Sequence, residues 1–424
     1  MNIYDEFKWR GLVHQVSDEE KVRAYLSEPG RTMYCGFDPT AESLHIGNLV
    51  PLLSLARLQR AGHKPIVLLG GATGMIGDPS GKDKEREFSA RELVLARAAR
   101  IRAQAEAFFE KNTGGKPIVV NNYDWTRDVT FLEMLRDTGK HFTVNWMLAK
   151  ESVKGRIERE DVGISFTEFS YMILQGFDFH HLYETYGCRL QIGGGDQWGN
   201  ITAGTELIRR KAAGEAFAMT FPLITTASGK KFGKSEKGAI FMDPALTSPY
   251  AFYQFWLNSD DRDVVKLLKF FTFLSQEEIA ALEREVETNP GAREAQKRLA
   301  AETTIMVHGR DVLDRVLAAS EALFGKGDIR AVEPSLLRAA LESAPAVSYE
   351  TGNLPDLPQM LVDLSLSPSK GQARKDIQAG GLTLSGNKIT DPAHAPGDSD
   401  FLEGGVLVLR KGKKNYGLVT IRRA

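Results

Sequence analysis

One short stretch of the chain carries a phenol, a thiol, a carboxylate, a hydroxyl and an imidazole: Tyr34, Cys35, Asp38, Thr40 and His45, with Asn48 just beyond. Leu49, Leu52, Leu53 and Ala56 then recur at helical spacing. The polar groups therefore fall on the loop and first turn where a strand feeds a helix. Free N–H groups at a helix start attract anions, phosphate above all. An ordinary strand-to-helix connection capped by Ser43 has the same composition, and this stretch alone does not separate the two readings.

Further along, Tyr171, Gln175 and Asp178 stand at i, i+4 and i+7 and share one helix face. Met172, Ile173, Leu174, Phe177 and Phe179 surround them, so that helix is expected to be buried nearly all round. A buried carboxylate is costly without a partner, and three polar groups there want a polar ligand or one another; a solvated polar stripe is the alternative. Gly193-Gly194-Gly195-Asp196-Gln197-Trp198-Gly199-Asn200 follows a strand. Its glycines permit close approach of a ligand to the backbone, and Asp196 suits ribose hydroxyls, although plain turns also use glycine runs. Ser228 to Ser235 holds Lys230, Lys231 and Lys234 with no acid before Glu236, a composition suited to polyphosphate and also to a generic surface loop. The run Gly70 to Asp78 matches neither a dinucleotide fingerprint nor a P-loop. Lys82, Lys84 and Arg86 after it read as phosphate contacts or as a solvated charge run.

The elements that must position these groups alternate. A helical lead-in spans Met1 to Leu26. Strands at Thr32–Cys35, Pro65–Leu69, Pro117–Val120 and Arg189–Ile192 are separated by helical patterns, which predicts an α/β fold with a parallel sheet. Ligands of such folds bind at the carboxyl ends of the strands. Glu87 to Lys111 reads as a charged amphipathic helix. Trp125 to Lys150 reads as helical, with Phe131, Leu132, Leu135 and Leu148 facing either ordinary core or a partner. From Pro249 to about Gly325 the pattern is all helical. Ile329 to Pro358 reads as a linker with one short helix. In the last segment Ser369 caps a helix, Gly380 to Ile389 is hairpin-like, and Arg410, Lys411, Lys413, Lys414, Arg422 and Arg423 follow with no acid after Glu403. A basic strand-rich tail suits nucleic acid or a solvated cationic surface.

With 424 residues the chain exceeds one ordinary domain, and 42% apolar content supports real cores. At a net charge of −1, a nucleic-acid partner has to meet a local basic patch. Cys35 and Cys188 form no disulfide framework or metal spacing, which fits a reducing cytoplasm. No stretch has the apolar length of a membrane span, and Met1 to Arg10 shows no targeting pattern.

Two motifs in order carry a resemblance. His45-Ile46-Gly47-Asn48 and Lys231-Phe232-Gly233-Lys234-Ser235 are similar to the two signatures of class I aminoacyl-tRNA synthetases, His-Ile-Gly-His and Lys-Met-Ser-Lys-Ser. Tyr34 with Cys-Gly-Phe-Asp-Pro-Thr, the trio Tyr171, Gln175 and Asp178, and Gly-Gly-Gly-Asp-Gln-Trp-Gly-Asn resemble the bacterial tyrosyl-tRNA synthetase family. The resemblance implies a doubly wound, Rossmann-like catalytic domain over 1–228 with an inserted helical segment at about 80–165. It further implies a lysine loop and α-helical domain over 229–328, a linker over 329–355, and a small α+β S4-like RNA-binding domain over 356–424. It implies tyrosine, ATP with Mg2+ and tRNA(Tyr) as substrates, a homodimer, and neither a permanently bound cofactor nor a metal site.

By the same resemblance Tyr34, Asp78, Tyr171, Gln175, Asp178 and Gln197 hold tyrosine. Cys35, Gly36, Asp38, Gly47, Gly195, Asp196, Leu223, Ile224 and Lys234 hold ATP. Thr40, His45, Asn48, Lys231, Lys234 and Ser235 serve catalysis, and Lys82 and Arg86 act as helpers on phosphate or tRNA. Two departures stand out: Asn48 replaces the second signature histidine, keeping a donor but no acid–base role, and Phe232-Gly233 replaces Met-Ser. The rivals are a tryptophanyl-tRNA synthetase, whose substrate lacks a hydroxyl for Tyr34 and Asp178 to bind, and a catalytically silent RNA-binding paralogue, which would not need Thr40, His45, Lys231 and Lys234.

Overall fold

The computed structural model describes residues 2–80, 89–150, 153–154, 157, 163–227, 229, 232–235, 238–324, 327–342, 344–350, 352–412 and 415–422. The chain divides into two compact units, one of residues 1–243 with 256–307, the other of 244–255 with 308–424.

The first unit is built on a six-stranded sheet of β1 (Gln15–Val16), β2 (Thr32–Phe37), β3 (Lys64–Leu69), β4 (Ile118–Asn121), β5 (Leu190–Gly194) and β6 (Phe217–Phe221). Their order is β1-β6-β5-β2-β3-β4, parallel except for β1, which runs antiparallel to β6. β2, β3, β5 and β6 are buried at nearly every position because helices cover both faces of such a sheet. The lead-in is not wholly helical: between helices Ile3–Arg10 and Glu19–Tyr25, Gln15 and Val16 extend the sheet. β4, expected to be buried, is the edge strand and is largely half-exposed. The chain leaves β2 toward β3 and β4 and returns to the other side of β2 through β5. The strand order therefore reverses between β2 and β5, and the carboxyl ends of these two strands are where such a sheet forms its binding crevice.

Two helices serve this crevice. The signature helix, Ile46–Arg60, follows β2 and buries Leu49, Leu52, Leu53 and Ala56 at the predicted spacing. The pocket helix, Phe166–Tyr186, has Ser165 as its cap and ends on Gly187 in the left-handed conformation. The region expected as continuous helix from Trp125 to Lys150 is instead a series of short pieces: Tyr123–Thr126, Phe131–Glu133, a wide turn at Met134–Thr138, Gly139–His141 and Val144–Leu148. Thr130 starts one with a capping box to Glu133, and β-branched and turn residues interrupt the rest.

In the second unit, helix Arg310–Phe324 precedes a five-stranded sheet ordered Asn387–Ile389, Leu382–Leu384, Val406–Lys411, Asn415–Arg422, Ala346–Glu350. The segment read as a linker thus supplies both a short helix, Pro334–Ala340, and a strand, Ala346–Glu350, paired in parallel with Asn415–Arg422. Its exposed–half-buried alternation hides it in the sequence. Helices Leu357–Asp363 and Lys370–Gln378, the latter capped by Ser369, close the core with Leu357, Met360, Leu361 and Ile377. The hairpin turns at Ser385-Gly386, as expected.

Candidate active site

At the reversal point Tyr34 on β2 is fully buried, its ring edge-on to Phe179 at 5.2 Å. Its hydroxyl has no hydrogen-bond partner among the described residues. Burial, and then the neighbouring Asp178 charge, hold this phenol well above its ordinary pKa, so it is a donor at neutral pH.

Asp178, on the pocket helix, is equally buried. Asn122 Nδ2 donates to its Oδ2 at 2.8 Å and Trp125 Nε1 donates to its Oδ1 at 2.9 Å. Burial pushes its carboxyl up to about 7, while those two bonds pull the other way.

A chain of hydrogen bonds leads from this carboxylate to a second one. Asn122 Nδ2 also donates to Thr73 Oγ1 at 3.0 Å, Thr73 donates to Asp38 Oδ1 at 2.8 Å, and Tyr171 Oη donates to Asp38 Oδ2 at 2.8 Å. The Ala72 N–H fixes Asn122 by donating to its Oδ1 at 2.7 Å. Gly70 is obligatory here, since a Cβ would run into the Asp38 carboxylate. Asp38, expected on the nucleotide side, is thus bound into the network that begins at Asp178. Gln175 is half-buried one turn before Asp178 on the same helix.

A third carboxylate, Asp78, accepts from Gln197 Nε2 at 2.5 Å, from Asn200 Nδ2 at 3.3 Å and from the Ser80 N–H at 3.0 Å. Asp78 and the start of the helix after β5 are therefore one assembly. Three carboxylates with oriented donors along one crevice can hold a small polar molecule that presents both an ammonium group and a hydroxyl.

The remaining groups lie around the start of the signature helix and the end of β5. The helix cap is His45, not Ser43: the Gly47 N–H donates to His45 Nδ1 at 3.0 Å, and Asn48 Oδ1 accepts from the His45 N–H at 3.1 Å. Ser43 Oγ instead accepts from the Asp243 N–H at 3.1 Å. Gly47 is exposed, although its N–H is taken by the His45 side chain, and the helix start carries the partial positive charge that favours an anion. Thr40 is exposed, and its N–H donates to Asp38 O at 2.8 Å. Cys35 is buried, its thiol pushed up to about 12 by that burial, so it is neutral. Beside β5, a Cβ on Gly194 would meet Asp196 Oδ1 at 2.6 Å, and one on Gly195 would meet His14 at 3.0 Å. Leu223 is exposed, and Ile224 O accepts from the Phe232 N–H at 3.0 Å.

The two signature segments are adjacent. The Ile46 N–H donates to Ile240 O at 3.0 Å, His45 bridges to Phe241, and the Met242 N–H donates to Leu44 O at 2.8 Å. Gly233, at φ +92°, sits against Ile46, where a Cβ would come within 3.2 Å of its Cγ1. Lys234–Ser235 forms a two-residue ribbon with Gly238–Ala239. Lys231, Lys82 and Arg86 lie outside the described residues. No cluster of three metal-ligating side chains occurs among the described residues.

The model of the class I tRNA synthetases (W and Y) matches residues 28–325, and that of the tyrosine–tRNA ligase SYY-like C-terminal domain matches 337–419. The chain is 53% identical to a tyrosine–tRNA ligase of Geobacillus kaustophilus over 421 residues, 99% of each chain. It is 49% identical to that of Listeria monocytogenes serovar 1/2a over 424 residues, the full length of both. Among solved structures, a C-terminally truncated mitochondrial tyrosyl-tRNA synthetase of Aspergillus nidulans superposes with a TM-score of 0.68 at 32% identity, covering 76% of this chain and 94% of that one. The chain belongs to the tyrosine–tRNA ligase family of class I aminoacyl-tRNA synthetases.

This tyrosine–tRNA ligase family member departs from both signatures for visible physical reasons. Asn48, in place of a histidine, closes the capping box with His45, so its oxygen organises the helix start and its amino end is the donor. Phe232, in place of a methionine, stacks on Phe271 at 5.6 Å and leans on Trp256 at 5.6 Å, which ties the loop to the helices that follow. Sequence reasoning missed Thr73, Asn122, Trp125 and Asn200. Asn121-Asn122 at the carboxyl end of β4 was the available signal, since that is where an α/β sheet presents its ligand contacts.

Proposed function

We propose that this chain activates tyrosine with ATP and transfers the tyrosyl group to the 3′ end of tRNA(Tyr). The observation that carries this reading is the buried, unpartnered Tyr34 hydroxyl beside the Asp178 carboxylate. A substrate phenol supplies the partner that Tyr34 lacks among the described residues, accepting from its hydroxyl, and donates a further hydrogen bond to the Asp178 carboxylate. Phenylalanine would leave the Tyr34 hydroxyl buried and unsatisfied and would offer Asp178 no donor, and an indole lacks the oxygen that Tyr34 needs.

The substrate ammonium lies among Asp38, Asp78, Tyr171 and Gln175, with Gln197 holding Asp78 in place. This directs the tyrosine carboxylate toward the start of the signature helix. One carboxylate oxygen attacks the α-phosphorus of Mg2+-bound ATP in line; the P–O bond to the leaving group breaks, and pyrophosphate departs with the metal. Catalysis is positioning and charge stabilisation, with no covalent intermediate on the protein. Thr40, His45 and Asn48 receive the phosphates on one side, with Gly47 bordering them. Lys231, Lys234 and Ser235 close from the other, with Lys82 and Arg86 as helpers. Cys35, Gly36, Gly195 and Asp196 border the ribose, and Leu223 and Ile224 the adenine.

The wider reading is a cytoplasmic homodimer. Phe131, Leu132, Val144 and Phe166, between 60% and 76% exposed, fall within one stretch of chain and suit a partner subunit. One tRNA would then place its acceptor end on one subunit and its anticodon region on the other. No helix among the described residues is long and apolar enough to cross a membrane.

ATP–pyrophosphate exchange measured with each standard amino acid tests the proposal. Exchange with tyrosine alone, followed by transfer of labelled tyrosine to tRNA(Tyr), is the expected result. Exchange with tryptophan, or with none, would overturn it.

A further inference from the structure

Trp125 is a critical donor on a weak element. It belongs to a four-residue helical piece, Tyr123–Thr126, that follows the edge strand β4, and so short a helix has little stability of its own. Yet its indole N–H must point accurately at Asp178 Oδ1, 2.9 Å away. A second directional hold on the pocket helix is a stack: the His181 ring lies nearly parallel to the indole, centroids 4.3 Å apart and planes 16° apart. Asp178 and His181 are three residues apart on that helix, hence on one face. Trp125 also packs against the core cluster that holds Val120, Phe179 and Leu182, but its N–H to Asp178 and its face on His181 are the two contacts that set the angle of the indole. Burial lowers the pKa of His181, which favours the uncharged ring in the stack.

We propose that His181 is a specificity-determining positioning residue, which holds Trp125 in the orientation that makes Asp178 a phenol acceptor. This deepens the tyrosine reading above and rests on it. With the ring gone, the indole can turn, and Asp178 loses one of its two protein donors. The carboxylate is then less firmly aimed, and its ionised form less favoured. The effect falls on recognition of the substrate hydroxyl, not on ATP.

The test is a set of variants in the full-length protein, assayed by ATP–pyrophosphate exchange with tyrosine and with phenylalanine. His181→Ala and His181→Leu are expected to lower the tyrosine-over-phenylalanine ratio of kcat/KM by about tenfold, the worth of one hydrogen bond to a charged group. Their KM for ATP should stay within about twofold. His181→Phe keeps a flat ring and should restore the ratio. Combining His181→Ala with Trp125→Phe should cost no more than Trp125→Phe alone, because the histidine acts through the indole. A residue that only fills space would be rescued by leucine as well as by phenylalanine.

A wild-type ratio in His181→Ala or His181→Leu would overturn the inference, as would full additivity with Trp125→Phe. Asp178→Asn in the same assay separates the two levels. If it leaves the ratio intact, the tyrosine reading itself fails. If it collapses the ratio while the His181 variants do not, only the positioning role fails.

Discussion

Asp178 is a carboxyl with two protein donors and almost no solvent, and its titration follows from that balance. Its pKa stands at about 7 against an ordinary 3.8. Folding thus favours the protonated form. The group's contribution to stability is fullest below the ordinary carboxyl value and is lost as pH rises toward about 7. A bound phenol that donates to the carboxylate favours the ionised form instead. Tyrosine binding should therefore release a proton near neutrality, and tyrosine affinity should fall up to about tenfold between about pH 8 and about pH 6. Titration calorimetry in two buffers of different ionisation enthalpy checks this, and an affinity independent of pH over that range would contradict it. The residue itself was legible in the sequence, because a lone acid among apolar neighbours on a helix demands partners. Asn122 and Trp125 were not, because they reach Asp178 from β4 and the turn after it, a juxtaposition set by sheet order and not by any spacing along the chain.

At the scale of elements, the join between the signature helix and the lysine loop rests on Gly233. Its φ of +92° lies where L side chains are strained, and it packs on Ile46. Gly233→Ala should cost about 1–2 kcal/mol in that conformation and shift the loop away from the helix start. The activation rate is expected to drop about tenfold with tyrosine affinity unchanged, as pyrophosphate exchange and equilibrium dialysis would report. A selective loss of tyrosine binding would contradict this placement of the loop. The helix start and the adjacent strand were readable because apolar periodicity marks them strongly. The cap was not: His45 and Ser43 are both able to accept, and only the backbone path through Asp243 and Gly47 decides between them. The region from Trp125 to Lys150 was misread as one helix because its large apolar groups, spaced for a helix, are divided by turns and are in part exposed.

At the scale of the molecule, the alternation of strands and helices gave the α/β class, while three elements escaped. The antiparallel β1 is two residues long, β6 pairs with β1 and β5 from elsewhere in the chain, and the strand Ala346–Glu350 lies far along the chain from the strand it pairs with; β4 was read as a strand, but not as an edge. Short or long-range pairings leave little local pattern to read. The proposed homodimer rests on the exposed apolar groups near Phe131. Leu132 is 76% exposed, an unusual position for so apolar a side chain. If it lies in a homodimer interface, Leu132→Asp should raise the dimer dissociation constant by at least about 100-fold. Sedimentation velocity across a concentration series measures this, and an unchanged dimer, or a wild-type chain that is monomeric throughout, would contradict it.

The claim on which the account turns is that Asp178 and Tyr34 together select a phenol. The most direct measurement is the tyrosine-over-phenylalanine ratio of kcat/KM in ATP–pyrophosphate exchange for Asp178→Asn beside the native chain. The expected result is a fall of about 10- to 100-fold, the cost of mismatching a buried charged hydrogen bond, with KM for ATP little altered. An unchanged ratio, or a loss confined to ATP, would contradict it.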